Sequence, residues 1–366
     1  MRMGIVNNDA MLDYIHETKS AALHILEDRA RITARFVGTV QGRSVDRLLL
    51  VASGTSYNSC MAVRHYFERI LGIPVELSTS YDYAHFNTLF REGDFAIAVT
   101  QEGESTNTVD AIRRMAEKGV PNCVVTEVKD NTCTREADFR VDLDCGFEDF
   151  GPKTKGYVCS VLTLLVCALE WAHASGKLSD EDYQRECDKI AETIGHLDAV
   201  VAAADEFIGR NSEELVACER AYVIGNGEHV ATALEGSLKC LETVRQFYFS
   251  FEGEEFLHGP IASVRSNVYT FIIAPDGEPG ERLRALYQCM KTQNEHVFLV
   301  GSLDEDDPHV CDCGFLSHPD IDALEYIVPF QLLAYRTFTG KGMDLNVREY
   351  PRTGKAVPTK TEAFRK

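Results

Sequence analysis

Positive charge is what this sequence has least of for its size. Its 366 residues carry 37 lysines and arginines against 57 aspartates and glutamates, a net charge of −20. A nucleic-acid backbone is bound through clustered Lys and Arg, so no nucleic-acid partner is expected, and any anionic ligand must be held locally. Long apolar runs are also missing. The longest, Val161 to Ala172, is too short for a bilayer and includes Glu170, so no membrane partner is expected. The 12 cysteines are scattered along the chain with no signal peptide before them, which points to a reduced, cytoplasmic protein. Cofactor fingerprints are absent too. Gly54 belongs to no G-x-G-x-x-G, Gly225-Asn-Gly227 has Val230 where the third glycine belongs, and no Walker A sequence occurs. Cys311-Asp-Cys313, flanked by His309 and His318, is tighter than structural zinc spacing and lacks a second pair, so neither metal nor cofactor is expected.

What is present is a repeated pattern in a chain long enough for two domains. Met11 to Val37 has apolar residues at helical spacing. Strand, tight loop and helix then follow one another at Arg47-LLLVASGTS with Tyr57 to Leu71, and at Asp94-FAIAVTQEGEST with Thr106 to Lys118; a third strand is read at Pro121-NCVVTEV. Two long helices, Val158 to Ala174 and Asp180 to Phe207, come next. The pattern then restarts at Ala221-YVIGNG, with a helix over Glu228 to Phe247, a strand at Asn267-VYTFIIAPDG, a helix over Glu281 to Thr292 and a strand at Glu295-HVFLVGS. Gly54 and Gly227 are 173 residues apart, and Glu102-Gly103 and Asp276-Gly277 are 174 apart. A duplicated α/β unit with parallel sheets is the implied fold class. The boundaries are a helical lead-in at 1–45, a first α/β domain at 46–176, a helical connection at 177–212, a second α/β domain at 213–340 ending in a helix over Ile321 to Thr339, and a tail at 341–366. That tail holds seven Lys or Arg against three Asp or Glu, which also suits a solvated end.

Chemistry-bearing residues concentrate in Glu235 to Pro260. On a helix, Glu235, Lys239 and Glu242 share one face. A surface ion-pair ladder has the same spacing. Beyond it, Phe249, Phe251 and Phe256 bracket Glu252, Glu254 and Glu255, and His258-Gly-Pro closes the stretch, so titratable groups sit among apolar ones. Two loops at helix starts, Ser53-Gly54-Thr55-Ser56 and Thr100-Gln101-Glu102-Gly-Glu-Ser105-Thr106, offer hydroxyls and amides where anions are favoured. Hydroxyls also cap helices for structural reasons. At the carboxyl ends of adjacent parallel strands, the pair suits a small phosphate or sugar.

These motifs resemble the sugar isomerase (SIS) domain family, nearest to the isomerase half of the glucosamine-6-phosphate synthases. Ser53-GTSY is similar to that family's GTSY loop, Thr100-QEGEST-Asn-Thr to its SQSGETADT loop, Ala233-LEGSLKCLE to ALEGALKLKE, Glu255-FLHGP to ELKHGP, and Pro351-RTGKAV to PRNLAKSV, all in the family's order. The resemblance implies two αβα sandwich domains with five-stranded parallel sheets, and a homodimer whose sites borrow groups from the neighbouring subunit. It implies that Thr55, Ser56, Thr100, Gln101 and Ser105, with the flanking Ser53, Gly54 and Glu102, surround a sugar phosphate. It makes Glu242 the base moving a proton between C1 and C2, His258 the ring opener contributed by the partner, and Lys355 the Schiff-base lysine. Lys239 and Glu235 support the site. Such proton transfer suits a carboxylate of raised pKa and a desolvated lysine.

Three departures stand out. Glu102 replaces the second serine of the phosphate loop, so either it meets a cationic part of the substrate or the phosphate has fewer ligands. The tail is one residue shorter between Pro351-Arg352 and Lys355, which makes Lys360 a second candidate imine lysine. No glutaminase domain is expected ahead of the first unit, so glutamine is not expected as ammonia source. The expected activity is that of an enzyme releasing an amine from a 6-phosphorylated amino sugar or fructosamine, a deglycase or deaminating isomerase. The alternatives are a non-catalytic sugar-phosphate sensor and a plain ketose-aldose isomerase.

Overall fold

In a computed structural model, which describes residues 7, 9–316, 318–347 and 353–362, the strands form two five-stranded sheets. The first contains β1 (Arg47–Ala52), β2 (Val75–Thr79), β3 (Asp94–Val99), β4 (Asn122–Thr126) and β5 (Phe139–Asp142) in the order β2-β1-β3-β4-β5. The second contains β6 (Arg220–Gly225), β7 (Phe247–Glu252), β8 (Tyr269–Ala274), β9 (Val297–Gly301) and β10 (Val310–Cys311) in the order β7-β6-β8-β9-β10. Every pairing is parallel. The two orders superpose strand for strand, so the duplication read from the loop spacing extends to the whole topology.

Parallel strands covered on both faces are apolar throughout rather than alternating. β1, β3 and β8 are buried along their whole length. In each sheet the first strand lies between the second and third, so the connection reverses direction between β1 and β3, and again between β6 and β8. Ligands of open α/β sheets bind in the crevice opened by such a reversal. The loop at 53–56 leaves β1 and the loop at 100–105 leaves β3, whose strand ends are adjacent.

Helix Lys155–Ala174 is the axis of the molecule, with 17 of its 20 residues buried. It packs against the lead-in helices Ala10–Glu27 and Arg29–Val40 and against helix Thr55–Ala62. By length and composition it is apolar enough to cross a membrane, longer than the run legible in the sequence, but 83% of its apolar window is buried inside the fold. It reads as a core helix.

The region expected as one helix over Glu228 to Phe247 is divided. Helix His229–Thr243 ends before Arg245, which takes φ of 57°, and the chain then enters edge strand β7. The aromatic residues Phe247 and Phe249 point outward and stack with ring centres 6.3 Å apart, while Tyr248 between them is buried. That alternation is the period of a strand, with the apolar side turned outward.

Candidate active site

Helix His229–Thr243 lies between the domains, packed on helix Thr55–Ala62 of the first and helix Val328–Gly340 of the second. At Gly236 a Cβ would fall 2.7 Å from the Phe330 ring, so the absence of a side chain permits that approach. The polar face seen in the sequence therefore points into the domain boundary, and the surface-ladder reading is overturned. Glu235 and Lys239 are wholly buried, whereas Glu242, one turn on, keeps 38% of its side chain exposed.

A continuous polar chain results. Glu235 accepts hydrogen bonds from the Thr55 hydroxyl at 3.0 Å and from Asn58 Nδ2 at 2.8 Å. Lys239 Nζ stands 3.3 Å from Glu235, 3.2 Å from Thr55 Oγ1 and 2.7 Å from Glu242. Burial alone would push the Lys239 ammonium towards neutrality, but the carboxylates of Glu235 and Glu242 outweigh it and raise its pKa. Lys239 is thus a fixed cation that orients Glu242, and Glu242 is the member open to a ligand. The Thr55 hydroxyl is committed to this chain, so Thr55 supports the row with its side chain. Asn58 was not singled out in the sequence. Its place one turn after Thr55 on a loop-capped helix was the available signal.

The second loop is closed by the chain's own tail. Residues 359–361 run alongside 104–106: Ser105 and Lys360 form an antiparallel bridge, Thr106 N donates to Thr359 O at 3.1 Å, and Thr361 N donates to Glu104 O at 2.9 Å. Glu104 also accepts from Thr132 N at 2.8 Å and from the Thr132 hydroxyl at 2.7 Å. Glu102 is paired: Lys360 Nζ lies 2.7 Å from one oxygen and Lys153 Nζ 3.4 Å from the other. Burial acts to raise the Glu102 pKa, but hydrogen bonding and charge from Lys360, together with Lys153, outweigh it and hold the carboxyl below the usual range. Glu104 and Lys153 were also missed in the sequence.

Thr100 Oγ1 accepts from Gly103 N at 3.3 Å and braces the turn. Among the described residues the buried Gln101 amide nitrogen has no hydrogen-bond partner, and it lies over Gly156, where a Cβ would meet it at 1.8 Å. Gly54 takes φ of 59° in the first loop, beside half-buried Ser53 and buried Ser56. Ser105 opens helix Thr106–Glu117 without capping it through its side chain.

His258 is exposed at the end of helix Gly253–Leu257, and among the described residues no hydrogen bond or ion pair joins it to Glu242. Within the chain it lies near Glu254, whose carboxyl is held below the usual range by Arg282 and, to a lesser degree, by His258 itself. Exposed Phe247, Phe249, Leu241 and Leu257 belong to the same stretch of chain. Lys355 falls in helix Thr353–Ala356, but its side chain, like Pro351 and Arg352, lies outside the described residues. Of the cysteine motif, the Cys311 and Cys313 sulfurs are 3.7 Å apart, while His309 pairs with Glu214 at 3.2 Å and His318 with Glu192 at 3.0 Å.

Residues 43–169 match the model of the SIS domain. The chain is 29% identical over 309 residues to the glutamine–fructose-6-phosphate aminotransferase (isomerizing) of Zymomonas mobilis, an overlap of 82% of this chain and 50% of that protein. It spans about half the length of the curated relatives it matches. Among solved structures, a candidate phosphosugar isomerase from Clostridium difficile 630 is similar with a TM-score of 0.89 and 28% identity, covering 96% of this chain and 99% of that one. The C-terminal domain of glucosamine-fructose-6-phosphate aminotransferase from Francisella tularensis is similar in fold, with a TM-score of 0.81 at 20% identity over 92% of this chain and 97% of that one.

Proposed function

We propose that this chain, whose residues 43–169 match the SIS domain, is an enzyme of the sugar-phosphate isomerase type and releases an amine from a 6-phosphorylated amino sugar or fructosamine. The observation that carries this reading is the row from Thr55 through Lys239 to Glu242. It joins the loop after β1 to one solvent-accessible carboxylate held by a buried cation.

For a fructosamine, Glu242 takes the proton from C1, next to the C2 carbonyl, and an enol forms. The proton returns to C2, the C1–N bond becomes an imine, and water hydrolyses it to the aldose phosphate and free amine. Every atom is accounted for by substrate and one water. The preorganised charge is on the enzyme side: Lys239 stays protonated throughout, so the carboxylate beside it keeps one orientation.

The loop around Glu102 supports a phosphorylated substrate. Lys153 and Lys360 converge on Glu102 beside the start of helix Thr106–Glu117, a helix end that favours an anion. His258 and the exposed Phe247 and Phe249 support a homodimer in which His258 serves the neighbour's sugar ring. For a 2-amino sugar, whose C2 becomes the imine carbon, Lys355 remains the proposed lysine that exchanges for the amine before water releases the ketose, since Lys360 is engaged with Glu102.

The test is an amine-release assay on a panel of 6-phosphorylated amino sugars and fructosamines. The reading fails if purified protein neither releases amine nor interconverts ketose and aldose with any of them. Ketose-aldose interconversion without amine release, and without a borohydride-trapped lysine adduct, identifies a plain isomerase instead.

A further inference from the structure

The duplication places a second crevice in the second domain, between the ends of β6 and β8, and its lining differs from the first in chemistry. With the 173-residue offset, Thr55 and Ser56 correspond to Glu228 and His229. Where the first unit presents hydroxyls, the second presents a carboxylate and an imidazole. A third group, Asp322, arrives from the segment before helix Ala323–Tyr326. The ligating atoms of Glu228, His229 and Asp322 all lie within 4.8 Å of one another.

Two of these groups are buried and, among the described residues, each has one atom without a hydrogen-bond partner. His229 is 1% exposed and Asp322 3% exposed, yet His229 Nε2 and Asp322 Oδ1 make no hydrogen bond. Buried polar atoms are nearly always hydrogen-bonded, whereas these two face each other at ion-pair distance without a hydrogen bond. They stand 3.6 Å apart. That is too long for a hydrogen bond, but two ligands each ~2.1 Å from a tetrahedral metal ion stand about 3.4 Å apart. Asp322 occupies a helix start without using its carboxylate to cap it. His229 Nδ1 faces the Thr232 hydroxyl at 3.4 Å and Nε2 faces Asp322, so a metal ion between the two groups would take the imidazole through Nε2.

Charge points the same way. Among the described residues, neither Glu228 nor Asp322 has a lysine or arginine within ion-pair distance; Arg69 is taken by Asp320 and Glu186, and His196 by Glu325. Glu228 is half-buried and shared with an outer trio of His65, Glu228 and Asp320, which gives a route from solvent.

We propose that Glu228, His229 and Asp322 bind one divalent transition-metal ion, zinc or a similar cation suited to nitrogen and oxygen ligands, in the crevice of the second domain. The ion fastens the first turn of helix His229–Thr243 to the segment at 320–326. It thereby anchors the helix that carries Lys239 and Glu242, at a distance from the reacting atoms. This departs from the expectation of no metal drawn from the sequence, where His229 and Asp322 lie too far apart to be paired by spacing.

The test is calorimetric titration of chelator-stripped full-length protein with zinc chloride, with thermal unfolding and the cobalt(II) absorption spectrum as second readouts. Expected are one equivalent bound, a raised unfolding temperature, and a cobalt spectrum without a sulfur charge-transfer band. Affinity should fall at least about tenfold in His229→Gln and Asp322→Asn, and be unchanged in Cys311→Ser. Should both buried variants fail to fold, Glu228→Gln on the open side must show the same loss. Absence of stoichiometric binding, binding unaffected by these substitutions, or a sulfur-ligated spectrum lost in Cys311→Ser overturns the proposal.

Discussion

Lys360 places its ammonium 2.7 Å from the Glu102 carboxylate, across 258 residues of sequence. This pair fastens the tail to the loop after β3 and answers the repulsion that a carboxylate in a phosphate loop would create. Partly exposed pairs contribute up to ~1 kcal/mol. Lys360→Ala is therefore expected to weaken binding of a sugar phosphate by about fivefold and to speed hydrogen exchange at 104–106 and 359–361, leaving exchange in β1 and β3 unchanged. Equal exchange in both proteins would remove the latch from the account.

The same pair sets a pH dependence. The Glu102 pKa is lowered in the folded protein, so its contribution to stability is present above the ordinary glutamate value of ~4.3 and is lost as pH falls through the lower folded value. Tail protection in wild type should exceed that in Glu102→Gln near neutrality, and the two should converge below about pH 4. Hydrogen exchange of 359–361 at several pH values measures it; a difference that grows on acidification contradicts the assignment.

Lys239 is expected to dominate the stability of the domain boundary. Removing one partner of a buried pair leaves an uncompensated charge and costs about 3–5 kcal/mol. Lys239→Ala should show that loss in urea unfolding, while Lys239→Met combined with Glu235→Gln should recover part of it, because the orphaned carboxylate is gone. No recovery in the double variant would mean that the ion pair is not what Lys239 supplies.

A shared site predicts complementation. Glu242→Gln and His258→Asn should each be inactive as homodimers, yet a mixture refolded together should regain up to about a quarter of wild-type activity, since a random mixture yields half heterodimers with one intact site of two. Phe249→Asp should weaken the dimer and lower activity in parallel, as followed by sedimentation. Active monomers would refute the borrowed histidine.

The duplicated sheets were legible because β1, β3, β4, β6, β8 and β9 are apolar runs ending in small residues. The edge strands were not. β2 is mostly half-exposed, β10 is two residues long, and β7 reverses the usual polarity by turning Phe247 and Phe249 outward. Its aromatic alternation, Phe-Tyr-Phe-Ser-Phe, was the missed cue.

Within the site, helical spacing fixed that Glu235, Lys239 and Glu242 share a face, but not what the face meets. Asn58 and Thr55 reach Glu235 across 177 and 180 residues, a relationship carried by domain packing alone. The tail is a similar case. Its charge suited a solvated end, whereas Lys360 pairs with Glu102 of the same chain.

The most direct test of the central claim is solvent exchange at the sugar. In deuterated buffer, wild-type protein with a 6-phosphorylated fructosamine or amino sugar should introduce deuterium at C1 or C2, detected by proton NMR. Glu242→Gln should lower the rate by about 10²–10⁴ while still binding the ligand. Exchange that survives in Glu242→Gln, or binding by wild type with no exchange at either carbon, would contradict the account.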